Sequence, residues 1–429
     1  MKPLILSAFS IFIVWLPNSL AGATFNVTKF GATGDGQTDD LRAIQKAADA
    51  AFRAGGGIVY FPAGTYLHSG VIDFHSNTTV SGVGVASVLL ASVPSSSAIR
   101  FANASNCSID HVKISSPATL RLQNDTAAGL LFSYSQNCTA TNLSIEGAAS
   151  AGIIVHGSLD MLVDSVDVRL TKADGIHVVS GSQRVMISNN TASYTGDDSF
   201  SAVAYATQPQ TASITFSNNT SNSSGARGIS CVGSDNCLIT GNTINNPAAH
   251  GISVSWEQSY NTWYPHHAQI QNNVISNVVT PGMNAILLNY ATDVQIGYNE
   301  VYDSTTVYLH NSSGVSVNGI ALYRTPGTGL IARNCQQVTV QNTNIQQSRD
   351  SGLLLDTVSG GTVSGNGLVD IQMKGDLTKG AITVLNSRDL SGDGNTVQHT
   401  AAWNGSSYGP LLVANSTNIN IGVILLPTQ

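Results

Sequence analysis

The chain has 429 residues with 25 acids against 18 lysines and arginines, a net charge of −7, and only 10% charged residues. That balance excludes a nucleic-acid partner gripped through a basic face. The 41 glycines, with abundant Asn, Ser and Thr, describe a β-rich extracellular protein to which an anionic polymer would bind only where local cations compensate.

The first element is a leader. "MKPLILSAFSIFIVWLPNSLAGA" carries one Lys, an apolar run from Leu4 to Leu16 and the small residues Ala21-Gly22-Ala23. This is the layout of a secretory signal peptide over residues 1–23, cleaved before Thr24. No later segment offers the roughly 18 uninterrupted apolar residues that a membrane span needs. The mature chain, 24–429, is therefore expected to be exported, secreted or periplasmic, as a single domain without a membrane span.

Next comes "TDDLRAIQKAADAAFRAGGG", with apolar residues at Leu41, Ile44, Ala47, Ala48, Ala51 and Phe52. That spacing predicts an amphipathic helix from Asp39 to Arg53. Asp39 or Asp40 can cap it, and Gly55 to Gly57 end it.

Beyond the helix the chain counts in coils. A small residue, Gly, then alternating apolar residues recur as "AGLLFS" at Gly129, "AGIIVHG" at Gly152 and "ADGIHVV" at Gly175, in steps of 23 residues. The pattern continues, less regularly, at Gly228, Gly251, Gly319 and Gly352. A second pattern interleaves with it and places an Asn after a short strand, at Asn190, Asn219, Asn242, Asn273 and Asn299. Strands this short cannot bury a face alone. Coils stacked at the ~4.8 Å strand spacing can, because the inward Val, Ile and Leu of one coil lie over those of the next. The expected fold is all-β, a right-handed parallel β-helix. Its Asn residues would form a ladder, and the N-terminal helix would cover its open apolar end. Of five cysteines at least one is unpaired. Cys231 and Cys237, six apart, can bridge, while Cys107, Cys138 and Cys335 read as small buried residues.

Within the coils, "TKADGIHV" and "TGDDSFSAV" carry the candidate chemistry. Asp-Asp after Gly is ordinary turn chemistry when taken alone. Asp174 and Asp197, however, lie 23 residues apart, one coil in the count above, which stacks them on neighbouring strands with Asp198 beside them. Three carboxylates this close cannot all ionise comfortably, so at least one pKa should rise. A raised acid beside an ionised base is the machinery of glycoside hydrolysis. Arg227 follows one coil later and can hold a carboxylate or grip an acidic sugar. His177, three residues after Asp174, reads as a coil residue. The segment "HGISVSWEQSYNTWYPHHAQI" interrupts the repeat and gathers His250, Trp256, Glu257, Tyr260 and Trp263. Flat aromatic faces that stack on sugar rings and polar groups that bond hydroxyls make it a candidate cleft wall. His266-His267 has no further metal-ligand spacing behind it.

The stretch "FNVTKFGATGDGQTDDLRAIQKAADAAFRAGGGIVYFPAGTY" resembles the N-terminal cap of the pectate-lyase-like superfamily, whose hydrolases, epimerases and tailspikes share a β-helix but not a reaction. The two aspartate motifs resemble those of glycoside hydrolase family 28 and its relatives. That resemblance implies Asp174, Asp197 and Asp198 as catalytic carboxylates, with Asp197 the acid, Asp174 and Asp198 orienting the water, and inversion at the anomeric carbon. The family's Gly-His-Gly is replaced by "GARGIS", which puts Arg227 where the His would stand. No Arg-Ile-Lys follows to grip a galacturonate, so the resemblance points away from a plain polygalacturonase and leaves a neutral or unusual polysaccharide as substrate. Two other readings accompany the hydrolase. In a Ca²⁺-dependent lyase or uronate C5-epimerase the acids would hold calcium and Arg227 would abstract the proton, although the epimerases' Asp-Pro-His-Glu run is absent. The third reading is a non-catalytic, adhesin-like β-helix that binds polysaccharide. The hydrolase reading needs no cofactor and no metal; Ca²⁺ belongs to the lyase reading alone.

Overall fold

Strands of mostly three to six residues, alternating in and out, gain a buried face here only by stacking, and the backbone does that through most of its length. The computed structural model describes residues 22–372, 378–400 and 409–427, so residues 1–21 of the expected leader lie outside it. Among the described residues the strands form two sheets, of 28 and 14 strands. Ile153–His156 pairs in parallel with Leu130–Ser133 on one side and Ile176–Val179 on the other, and the series continues through Phe200–Val203, Ile229–Val232 and Ile252–Ser255. Each inward residue lies over its copy: Ile153, Ile176, Phe200, Ile229 and Ile252 are all fully buried. The architecture is a parallel β-helix, as the repeat predicts. Among the described residues no helix is long and apolar enough to cross a membrane.

The expected Asn ladder is present at all five positions. Nδ2 of Asn190, Asn219, Asn242 and Asn273 each donates to Oδ1 of the next Asn at 2.9–3.0 Å. The same amides donate to backbone carbonyls one coil back, from Asn190 to Val163 and from Asn242 to Phe216, both at 3.0 Å. Each side chain thus satisfies donors and acceptors inside a turn where water cannot reach, and each bond contributes about 0.5–1.5 kcal/mol net.

At the N-terminal end the helix spans Leu41–Arg53 rather than starting at Asp39. The Asp40 side chain makes no helix cap; its carboxylate accepts from the N–H groups of Thr33 and Gly34, and Asp39 accepts from Leu41 N–H at 3.1 Å. Ile44, Ala47, Ala48 and Ala51 are buried against the first coil. Phe52 departs from the expected face: it is 53% exposed and packs on His75, 4.5 Å between ring centroids. The cysteine expectation holds in part. Cys231 is bonded to Cys237, and Cys335 is free and buried. Cys107 and Cys138, read as buried thiols, are bonded to each other, because adjacent coils bring them into register one above the other.

Candidate active site

The site is built from one row of the solenoid. Two residues before the stacked Ile153, Ile176, Phe200, Ile229 and Ile252 stand Ala151, Asp174, Asp198, Arg227 and His250. Backbone bonds carry the row: Gly175 N–H donates to Asp198 O, Ser199 N–H to Arg227 O and Gly228 N–H to His250 O. The close approach requires Gly175, since a Cβ there would lie 2.4 Å from Ser199 O. This corrects the one-coil spacing read from the sequence. The coil from Ile176 to Phe200 is one residue longer than the coil before it, so Asp174 stacks on Asp198, and Asp197 is the displaced neighbour.

A second row stands on the strands themselves. His177, Ser201 and Ser230 face outward in register, because Ile176 and Val178 occupy the inward positions. Ser201 Oγ donates to Asp174 Oδ2 at 2.6 Å, and His177 Nδ1 lies 2.6 Å from the same oxygen. Asp198 Oδ2 accepts from Ser230 Oγ at 2.6 Å, and its Oδ1 accepts from the backbone N–H and Nε of Arg227 at 2.8 and 2.9 Å. Arg227 Nη1 reaches on to Glu257 Oε1. Asp197, the most exposed of the three aspartates, accepts from Arg121 Nη1 at 2.6 Å through Oδ2. One oxygen from each of Asp174, Asp197 and Asp198 lies within 4.8 Å of the others.

Burial dominates the titration of this cluster, and neighbours decide its sign. Burial opposes the charge on Asp174, yet the bond and charge of His177, the Ser201 hydroxyl and the field of Arg227 hold it below the usual carboxylate range. His177 moves the other way: burial disfavours its cation, and Asp174 outweighs burial and raises it. Asp198 is pushed up to about 6, chiefly by burial and then by the carboxylates of Asp174 and Asp197, with Arg227 pulling against them. Arg227 itself is held far above the ordinary arginine range, since two carboxylates more than offset its burial. His250 sits behind Arg227; burial and that cation lower it to about 4, and the neutral ring accepts Asn284 N–H at Nδ1, 2.9 Å away.

Asp174, His177, Asp197, Asp198, Arg121 and Arg227 line a cavity of about 150 Å³ with Val203, Tyr205, Val232, Glu257, Tyr260 and Thr262. Its wall comes from the segment after Ser255, which folds back across two coils. Trp263 N–H donates to Ala204 O, Ala206 N–H donates to Asn261 O, and Tyr205 and Thr262 form an antiparallel bridge. Gly233 admits this fold-back: its φ is +67°, and a Cβ would meet Trp263 O at 2.6 Å. Of the residues expected in the wall, Glu257 and Tyr260 line the cavity, whereas His250, Trp256 and Trp263 do not. Trp256 stacks on Tyr264 at 5.0 Å and meets Tyr290 edge-on, and Trp263 Nε1 donates to Gln208 O.

Sequence reasoning missed Arg121, Ser201, Ser230 and Tyr205, and it gave His177 too small a part. The alternation in "GIHVV" already turned His177 outward. Arg121 had no signal, because it arrives from a segment without regular structure 76 residues before Asp197. Chemically, the cluster offers one carboxylate held ionised, one held up and one exposed, which is what proton donation beside water activation needs. A hard cation shared by the three would compete with the charge of Arg121 on Asp197 and of Arg227 on Asp198. The donor set as it stands suits guanidinium pairing better than a metal.

Residues 71–265 and 254–422 match the model described as right handed beta helix region. Residues 24–95 match rhamnogalacturonase A/epimerase, pectate lyase-like, which agrees with the resemblance seen in the N-terminal cap. Alginate lyase 7 of Azotobacter vinelandii is 45% identical over 73 residues, covering 15% of this chain and 8% of that protein. The chain thus spans less than a tenth of that relative's length. Among solved structures, the catalytic unit of a GH87 α-1,3-glucanase from Streptomyces thermodiastaticus has a TM-score of 0.65 at 20% identity, covering 81% of this chain and 70% of the other. PfbA, a surface adhesin of Streptococcus pneumoniae, has a TM-score of 0.63 at 17% identity, covering 80% and 93%. A hydrolase and an adhesin thus share this fold alike, and chemistry has to be argued from the cluster.

Proposed function

This chain belongs to the right-handed β-helix family, and from that premise we propose that it is an exported glycoside hydrolase acting on a polysaccharide. The observation that carries the reading is the trio of aspartate oxygens within 4.8 Å of one another in a cavity on the outer face of the solenoid. A carboxylate set whose members are driven to different protonation states is the requirement of glycosidic cleavage. Asp197, the acid that the family resemblance implies and the most exposed of the three, donates the proton to the leaving oxygen once it is released from Arg121. Asp174, held ionised by His177 and Ser201, takes the proton of the attacking water, with Asp198 orienting it. The Azotobacter relative and the Streptomyces fold neighbour support action on a polysaccharide, and the composition of residues 1–23 supports export. Elimination with Arg227 as base is disfavoured, because a guanidinium clamped between Asp198 and Glu257 cannot give up its proton.

The resemblance implies inversion, which in the general template leaves ~6.5–9.5 Å between the carboxyl groups for a water, while retention uses ~5–5.5 Å. The test is a polysaccharide panel followed by reducing ends, by ultraviolet absorbance and by the configuration of the first-formed anomer. New reducing ends without an unsaturated product support hydrolysis. Unsaturated products would replace it with elimination. A retained anomer would recast one aspartate as a nucleophile.

A further inference from the structure

The two guanidiniums of the cavity are held very differently. Arg227 is fixed: its backbone N–H and Nε share Asp198, Nη1 bonds Glu257, and only 19% of its side chain is exposed. Arg121 belongs to an irregular segment tied to the coil beneath by Ala118 N–H to Gly147 O and Leu122 N–H to Ala149 O. Its side chain is 46% exposed, and it meets Asp197, itself 27% exposed, through Nη1. A pair this exposed is weak and exchangeable, whereas the guanidinium fork can grip a planar carboxylate through two parallel bonds. While the pair persists, an oxygen of the carboxyl that must reach the substrate is occupied.

We propose that Arg121 is an exchangeable specificity residue that rests on Asp197 in the free protein and transfers to a sugar carboxylate in the complex, so that the site selects an acidic polysaccharide. This deepens the hydrolase reading and rests on it. The exchange balances: the sugar carboxylate replaces that of Asp197 as the partner of Arg121, and Asp197, open to solvent, takes up one proton from water, which it later donates to the glycosidic oxygen. A neutral sugar offers Arg121 only hydroxyls, which cannot compete with a carboxylate, and leaves Asp197 paired. Arg121 also supplies the local cation that a chain of net charge −7 needs to admit an anionic polymer.

The test compares oligosaccharides of polygalacturonate, alginate and hyaluronan with the same oligosaccharides after their carboxyls are reduced to alcohols. Binding is measured by calorimetry to the wild-type protein, Arg121→Gln and Arg121→Lys, with melting temperatures as the folding control. The expected result is that the wild type prefers at least one acidic form over its reduced counterpart. Arg121→Gln should lose roughly 10-fold on that acidic form, the loss expected for a charged hydrogen bond. It should leave the reduced form unchanged, and Arg121→Lys should recover part of the loss. Equal weakening on both forms, or a wild type that prefers no acidic form, overturns the proposal. The hydrolase reading fails separately, when Asp197→Asn cleaves as well as wild type.

Discussion

The rungs led by Ile176, Phe200, Ile229 and Ile252 and those led by Leu330 and Leu353 lie in one sheet, pair in the same parallel register and bury the same kind of inward residue. They differ two residues before the strand. The first group carries Asp174, Asp198, Arg227 and His250 there, and the second carries Thr328 and Ser351. At those two hydroxyl positions the bonds are neutral and reach a single coil: Thr306 Oγ1 donates to Thr328 O, and Ser351 Oγ lies 2.8 Å from Thr383 Oγ1. In the charged rungs the groups satisfy one another across three coils, so removing one strands the next. A solenoid supplies identical addresses, and chemistry appears where consecutive addresses hold groups that cannot be satisfied separately.

The sharpest break of that comparison is loss of an acid. Asp197→Asn should lower reducing-end release by roughly 10²–10⁴-fold at an unchanged melting temperature. Asp174→Asn should do so by as much with a lowered melting temperature, because the buried carboxylate is bonded to His177 and Ser201, and Ser351→Ala should leave turnover as it is. Stability comes next. Arg227→Met abandons Asp198 and Glu257 with uncompensated charge and should cost about 3–5 kcal/mol in denaturant unfolding. Arg333→Met, which breaks the exposed pair with Asp356 on a hydroxyl rung, should cost about 0–1 kcal/mol.

The Asn ladder sharpens the contrast from behind. Asn242→Ala removes a buried amide bonded to Asn219, Asn273 and Phe216 and should destabilise by about 2–3 kcal/mol. Hydrogen exchange should show the loosening in the rungs led by Ile229 and Ile252 before those led by Leu330 and Leu353.

The smallest effect is a shift in pH dependence. Asp198 must be a carboxylate to orient water, so activity should rise with pH through about 6. Ser230 donates to that carboxylate and lowers its pKa, so Ser230→Ala should move this limb to higher pH. The stability sign follows from linkage. The folded pKa of Asp198, about 6, lies above the ordinary 3.8, so its contribution is fully present below 3.8 and is lost as pH rises through 6. Asp174 is depressed, so its contribution is present above the ordinary carboxylate value and is lost as pH falls through its folded one. A melting profile of Asp198→Asn that still declines between pH 4 and 6 as in wild type would assign the decline to another group.

Much of this was legible in the residues, because a repeat writes its geometry many times. The Gly-led apolar pairs located the inward strands at Gly129, Gly152, Gly175, Gly228, Gly251 and Gly352, although the copy at Gly319 precedes Ala321–Tyr323 of the other sheet. The Asn after each strand located the ladder. The Leu41–Ala51 spacing located the helix that covers the end. The aspartate cluster was legible as composition and approximate spacing, and Glu257 and Tyr260 as part of an interruption in the repeat. The tryptophans beside them were legible as aromatic but not as outside the cavity, since a loop carries no period that says which way it folds.

The sequence by itself therefore determined the β-helix, its stacking period and the neighbourhood of its acids, since all three follow from local alternation repeated along the chain. Tertiary structure alone decided the register of the site. One extra residue in the coil between Ile176 and Phe200 set Asp174 over Asp198 rather than Asp197. The fold-back onto Ala204 brought Glu257 to Arg227, and an irregular segment brought Arg121 to Asp197. Contacts between segments with no common period depend on where stacked coils leave them in space, and no local pattern records that.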